Sequence, residues 1–186
     1  MRTRRVYAAG AAVAVVVVGL TGLSAAGAAD GEGDGRSSGF AERLSGYEED
    51  PLVLSTTGTG EFQAKVDTSA QEITYTLSYA ALEGNVTQAH IHLGGRAQSG
   101  GISVFLCTNL GNGPAGTQAC PAAPATVSGT IRPGDVIGPA GQGITAGQFD
   151  ELVAAMRADS TYVNVHSSLY PGGEIRAQLD DPSHQH

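Results

Sequence analysis

The sequence has no tryptophan and one lysine, Lys65, and aromatic residues make up only 5% of its 186 positions. Its 10 lysine and arginine residues are outnumbered by 18 aspartate and glutamate residues. Proteins that bind nucleic acids neutralise backbone phosphates with clustered cations. This composition therefore argues against nucleic acid as a partner, and the length leaves room for one modest globular domain with flexible segments.

Cysteine is also scarce, with Cys107 and Cys120 as the two examples. In an exported protein such a pair is expected to form a disulfide. The alternative, two thiolate metal ligands, is disfavoured because the sequence has no Cys-x-x-Cys pair.

The sequence also lacks the His-Glu-x-x-His motif of zinc proteases. We therefore predict a non-catalytic protein.

The first residues have the layout of an export signal. Three arginines among the first five positions precede an uncharged apolar run, Val6–Leu23, which is followed by small residues at 24–29. We predict a signal peptide over 1–29 and a secreted, extracellular protein. Two alternatives stay open: an uncleaved segment long enough to anchor the protein in a membrane, and a twin-arginine signal at Arg4-Arg5 for export after folding. A membrane is an expected partner only if the segment is uncleaved.

The rest of the chain divides by composition. Residues 30–39 are rich in glycine, serine and charge without periodicity, which predicts a disordered leader. The folded domain is expected over 40–180, and residues 181–186 form a polar tail that is expected to fray.

Short segments with alternating apolar residues and glycine- or proline-rich turns indicate a mainly β protein. The predicted strands are 61–66, 73–79, 86–93, 102–106, 125–131, 162–166 and 174–179. One helix is predicted from Phe149 to about Ala158, with Thr145 and Gln148 as a capping box. Strands at this spacing predict an antiparallel sandwich or barrel with one short helix.

The most specific motif for chemistry is His90-x-His92 on one predicted strand. Residues i and i+2 of a strand project from one face about 6.5–7 Å apart at Cα, close enough for two imidazoles to reach one ion. His166 lies on another predicted strand, and the three imidazoles meet if the strands are neighbours. Such a set suits copper first, with zinc or nickel as weaker candidates, and His184 or His186 of the tail are candidate further ligands.

A metal-free interpretation is the alternative. Histidines on a strand often bond their ring nitrogens to loop carbonyls without binding any ion. Spacing alone favours this interpretation over a metal site, and only the convergence of His90, His92 and His166 would reverse the preference.

The residues from about Phe40 to Leu179 resemble the CHRD domain, the module named after chordin, in its bacterial form of a single exported domain. The matching stretches are Phe40–Leu44, Gly46–Glu48, Thr57–Gly60, Ile73–Tyr79, Val86–Gly94, Phe149–Leu152, Tyr162–His166 and Pro171–Leu179. The resemblance implies an extracellular all-β module, immunoglobulin-like or superoxide-dismutase-like, and no catalytic mechanism. The His90-x-His92 strand is also similar to the copper strand of copper-zinc superoxide dismutases, although no bridging histidine, zinc loop or active-site arginine is assignable here.

Three hypotheses for function follow. The first is a secreted binding protein that holds a transition metal, copper above all, at His90, His92 and His166. The second is a metal-free extracellular module that binds a protein or a cell-wall partner. The third, an oxidase or dismutase that uses an open copper position, is the weakest.

Overall fold

The computed structural model describes residues 39–184. The predicted signal peptide, residues 30–38 of the predicted leader and the last two residues, His186 among them, lie outside this range. The described residues form eight strands and one α-helix, with short 3-10 turns between them. In chain order these are β1 (Gly39–Ser45), β2 (Thr59–Asp67), β3 (Glu72–Ala80), β4 (Val86–Leu93), β5 (Ile102–Thr108), β6 (Ala125–Ile131), α1 (Phe149–Arg157), β7 (Thr161–Ser167) and β8 (Ile175–Gln178).

All eight strands belong to one antiparallel sheet, in the order β5-β4-β7-β8-β1-β2-β3-β6. The sheet curls into a barrel-like sandwich, so that β5 and β6, its two outer strands, come close to each other. The prediction of a mainly antiparallel β fold with one short helix is confirmed. Each predicted strand is present, with ends that differ by a few residues.

The core follows from the alternation seen in the sequence. In β2 every second residue is buried, and β3 pairs with it along its whole length, from Thr59 opposite Ala80 to Asp67 opposite Glu72. Phe62, Ile73 and Leu77 are fully buried in this hairpin. A strand with one apolar and one polar face gains free energy by placing the apolar face inside a curled sheet.

Two elements depart from the predictions. Strand β1 was not predicted, because Glu42 and Arg43 interrupt its apolar positions; it pairs with β2 along its full length. Helix α1 begins only at Phe149, and Thr145 donates its backbone N–H to the Gln148 side chain in the turn before the helix. The helix therefore starts where the apolar stripe predicts, but its N-cap residue is Gln148 and not Thr145, so the predicted capping box is wrong. No helix within residues 39–184 is long and apolar enough to cross a membrane.

The gap between the outer strands β5 and β6 is bridged by side chains, and we call it the seam. Tyr75 on β3 donates its hydroxyl to the Leu106 carbonyl of β5 across 3.0 Å. Gln118 donates its amide to Tyr75 Oη, to the Leu106 carbonyl and to the Ser128 carbonyl of β6. The disulfide between Cys107 and Cys120 is present as predicted and fixes this connection to the end of β5.

Candidate metal centre

A second, polar layer lies on the other face of β4, β7 and β8. Alternation sends Ile91, Val163 and Ala177 into the apolar core and the neighbouring residues to the opposite face. We call that set the covered polar face, because all of its members are buried despite their polarity. Its members are His90, His92, Tyr162, Asn164, His166, Arg176 and Gln178.

Three chain segments bury this face: residues 46–54, the loop 94–101 and the turn 171–174. Arg176 donates to the Gly95 and Gln98 carbonyls, and Gln178 donates to the Gly94 carbonyl. The loop therefore satisfies its backbone by bonding to side chains of the sheet beneath it, which keeps water away from the face.

Strand register brings the three predicted histidines together. Strand β7 lies beside β4, with Asn164 opposite His90 and His166 opposite Gln88. The ligand atoms that His90, His92 and His166 offer all lie within 4.8 Å of one another. The rings themselves are in contact, with His90 centroid distances of 5.3 Å to His92 and 5.0 Å to His166. The predicted convergence is confirmed.

Hydrogen bonds to backbone carbonyls define which nitrogen of two rings is protonated. Nδ1 of His92 lies 3.0 Å from the Gly100 carbonyl, and Nδ1 of His166 lies 3.1 Å from the Pro171 carbonyl. A carbonyl only accepts, so both Nδ1 atoms carry the proton and both Nε2 atoms present a lone pair. Such carbonyl bonds orient metal-binding histidines in many proteins.

The distance between one nitrogen of His90 and one nitrogen of His166 shows whether the two rings could bind the same ion. Nδ1 of His90 lies 3.1 Å from Nε2 of His166, which has no proton to give. The two nitrogens therefore share either the proton of His90 or a cation. Two nitrogens bound about 2.0–2.1 Å from one ion at angles near 90–110° are roughly 3 Å apart, so the spacing fits a common ion.

Burial keeps the three rings uncharged. It lowers the pKa of His90 to about 2, helped by repulsion from His166 and His92. It also lowers the pKa of His166 to about 4 and lowers the pKa of His92. Neutral imidazole is the form that binds metal. Nε2 of His92 is buried without a hydrogen-bond partner, as expected of an atom that awaits a ligand. Nε2 of His90 is also buried without a partner, but it lies on the other side of the ring from the Nδ1 that faces His166.

A stack of flat side chains holds His92 in place. Its ring lies parallel to that of Tyr162, with centroids 4.8 Å apart, and the Arg176 guanidinium lies 3.5 Å from the Tyr162 centroid. The Gly100 N–H donates to Tyr162 Oη, while the Gly100 carbonyl accepts from His92. The two backbone groups of one residue, Gly100, thus fix both rings, and glycine is needed there because a Cβ would collide with the Leu93 carbonyl.

Replacing Tyr162 by phenylalanine is expected to lower the free energy of unfolding by about 1 kcal/mol, because the Gly100 N–H loses its acceptor while the ring stack remains. Urea denaturation of the metal-free protein measures the change. Tyr47→Phe is the matched control, since Tyr47 is 68% exposed. Equal stability of the two variants would mean that the hydroxyl does not hold the loop.

Sequence reasoning did not identify the buried charged residues Glu49, Glu174 and Arg176. Glu49 accepts a hydrogen bond from Asn164 across 3.1 Å, and Glu174 accepts from Thr56 and from the Glu83 N–H. Both glutamates are buried, as is Arg176. The available signal was the period of two that places Asn164 and Arg176 on the histidine face, but the pattern does not reveal that loops cover that face.

The tail does not add a ligand within the described residues. His184 lies outside the histidine group, and its Nδ1 is 2.8 Å from Asp159 Oδ2. Its side chain is 54% exposed, which makes it a suitable control residue for experiments on the three buried histidines.

Comparison with known proteins assigns the family. The family model of the CHRD domain matches residues 40–179, which is most of the chain. Neither a search of curated proteins nor a search of solved structures found a match. Since the family match spans the described fold almost from end to end, the chain belongs to the CHRD domain family.

Proposed function

We propose that this protein is a secreted, non-catalytic binding protein that holds a copper ion at His90, His92 and His166. The observation that carries the proposal is the 3.1 Å approach of His90 Nδ1 to His166 Nε2 within a buried group of three neutral imidazoles. Zinc and nickel are the weaker candidates, because copper binds nitrogen sites more tightly in the divalent series. The disulfide and the family support an extracellular location.

The arrangement of residues around the three histidines explains how an ion would be bound there, and it requires no chemical reaction. The Gly100 and Pro171 carbonyls fix the tautomers of His92 and His166, and the loop 94–101 covers the site. A bound ion would replace the proton that His90 shares with His166. Release would follow acidification, as protons compete for the same nitrogens.

Copper titration followed by thermal unfolding tests the proposal. The wild type is expected to bind one equivalent and to unfold about 5–10 °C higher at a ligand concentration 100 times Kd, since binding then contributes about 2.7 kcal/mol. His166→Ala is expected to lose at least 100-fold in affinity. His184→Ala changes an exposed histidine outside the group and is expected to bind as the wild type does.

The second candidate is a metal-free interaction module. Tyr47, Leu52 and Val53 are 68%, 76% and 64% exposed on the segment that covers the histidines, which favours an apolar protein surface as partner over a polar wall polymer. If the protein is purified from medium without metal and no metal raises its unfolding temperature, the copper proposal fails and this candidate takes its place.

A further inference from the structure

Resting on the proposed function, we infer that the loop 94–101 is a gate through which the copper ion enters and leaves, with Arg96 as its latch and Gly95 as a hinge. His90, His92 and His166 are 0%, 8% and 5% exposed. An ion bound to them would be enclosed as well, so one of the three covering segments has to move before the ion can pass.

The turn 171–174 is fixed by the strands that it joins. Its Glu174 N–H donates to the Val165 carbonyl of β7 across 2.8 Å, and its Gly173 N–H donates to the Tyr170 carbonyl across 3.1 Å. Strands β7 and β8 are paired directly beyond it, from Val165 opposite Ile175 onwards. Moving this turn would therefore unpair two buried strands.

The segment 46–54 is fixed by close backbone packing. The Leu54 N–H donates to the Gly46 carbonyl across 2.7 Å, which closes the segment on itself. A Cβ on Gly46 would lie 2.5 Å from the Leu54 carbonyl oxygen and 3.2 Å from the Glu174 carbonyl oxygen. This segment is therefore packed against the turn before β8 and does not move alone.

The loop 94–101 is held in a different way. At one end the Gly94 N–H donates to the Ser160 carbonyl across 2.8 Å. Between Gly95 and Gly100, side chains hold the backbone to the rest of the protein, namely those of Arg176, Tyr162 and His92. Such contacts break without unpairing a strand, so the middle of this loop opens at a lower free energy than the other two segments do.

The latch of this loop lies on the surface. The Arg96 side chain is 59% exposed, lies 3.5 Å from Glu48 and pairs with Asp180. Ser99 Oγ donates to Asp50 Oδ2 across 2.7 Å. Exposed ion pairs are weak and are screened by salt, so these contacts keep the loop closed without locking it.

The hinge is indicated by a glycine that packing does not require. A Cβ would come within 3.0 Å of other atoms at Gly94, Gly100 and Gly101, so close contacts explain those three glycines. At Gly95 the nearest atom to a Cβ is Gln98 Oε1, at an ordinary 3.4 Å, and its backbone is not left-handed. What glycine adds there is backbone freedom, which a hinge needs.

Opening of the loop also acts on one ligand. The Gly100 carbonyl lies 3.0 Å from Nδ1 of His92, so moving Gly100 away removes the partner that fixes the tautomer and orientation of this ring. The corresponding partner of His166 is the Pro171 carbonyl on the fixed turn. The same movement thus opens a path and loosens His92, while His166 stays in place.

Removing the latch is expected to speed copper release. The full chain is loaded with one equivalent of Cu(II) and mixed with excess EDTA, and release is followed by stopped-flow absorbance. Arg96→Ala is expected to release copper about three- to tenfold faster, and added sodium chloride to speed the wild type but not this variant. The Kd is expected to stay within about twofold, because the latch is closed with and without the ion. Arg132→Ala is the matched control, since its 58% exposed side chain pairs with Glu72 away from the cover.

Stiffening the hinge is expected to have the opposite effect. Gly95→Ala fits the closed loop but restricts the open one, so release is expected to slow about two- to fivefold. Gly134→Ala is the matched control, because a Cβ there also meets no atom within 4 Å, on the short turn 133–135. Opposite effects of two changes in one loop distinguish a gate from a general loss of stability.

The outcomes separate the gate from the site. Release that is unchanged in Arg96→Ala or faster in Gly95→Ala would overturn the gate but leave the metal site standing. A wild type that takes up no copper would overturn the proposed function. Hydrogen exchange of the loop amides in the metal-free protein then still tests the opening: we expect faster exchange in Arg96→Ala and slower exchange in Gly95→Ala, and equal exchange would overturn it.

Discussion

Replacing Arg176 by alanine is expected to lower the free energy of unfolding of the metal-free protein by about 3–5 kcal/mol, the cost of breaking a buried charged network. The guanidinium is 1% exposed, lies over the Tyr162 ring and donates to the Gly95 and Gln98 carbonyls. Its removal leaves the Gln98 carbonyl without its donor, takes one of two donors from the Gly95 carbonyl, and removes the positive charge that acts on the buried Glu49. Urea denaturation at neutral pH measures the loss.

The control for this variant is Arg43→Ala. The Arg43 side chain is 89% exposed, and its 3.8 Å ion pair with Glu61 lies on the surface, so a change within about 0.5 kcal/mol is expected. Arg176→Lys retains the charge but not the flat stack, and its stability is expected between those of the wild type and Arg176→Ala. A loss below about 1 kcal/mol in Arg176→Ala would show that the guanidinium does not hold the cover.

Acidification is expected to destabilise the metal-free protein by on the order of 3 kcal/mol between pH 6.5 and pH 4 from this site alone. His90 and His166 take up protons near pH 6.5 when unfolded, but burial lowers their folded pKa to about 2 and about 4. The unfolded chain therefore binds more protons in this window. Stability from the two histidines is full above pH 6.5 and is lost as the pH falls.

The titration of Glu49 changes the free energy of unfolding in the opposite direction to that of the histidines. Burial raises its folded pKa to about 7 from an ordinary value of 4.5, so its contribution is present below pH 4.5 and is lost as the pH rises through 7. Glu49→Gln is therefore expected to steepen the loss of stability in acid and to remove the loss that Glu49 causes as the pH rises from 4.5 through 7. Denaturant midpoints in chelator at pH 4, 5.5, 7 and 8.5 measure both slopes. A wild-type midpoint that does not change from pH 7 to pH 4 would contradict the buried, neutral state of the histidines.

Much of the fold was predictable because most strands alternate cleanly. The burial of β2 and β3 follows the period of two seen in Phe62–Val66 and Ile73–Tyr79. Strand β1 escaped prediction because its pairing with β2, rather than its own pattern, makes it a strand. Helix α1 and its start at Phe149 were predicted by its apolar stripe, whereas its N-cap residue depended on a turn whose geometry the stripe does not encode.

The sequence predicted the three candidate ligands, but it did not predict that the residues around them are buried. The spacing His90-x-His92 places two rings on one face, and the meeting with His166 required that β7 lie beside β4. That Asn164 and Arg176 share this face also follows from alternation. Their burial does not, because it depends on segments 46–54 and 94–101 folding back over the sheet, a long-range event that local periodicity cannot report.

The seam between β5 and β6 affects how this protein, which is expected to be secreted, could associate with other molecules. Open sheet edges invite strands of other molecules and so seed fibrils. Here Gln118 and Tyr75 occupy backbone acceptors of both outer strands, and the disulfide keeps the intervening loop over them. The closure thus acts as protection against intermolecular β pairing at high local concentration.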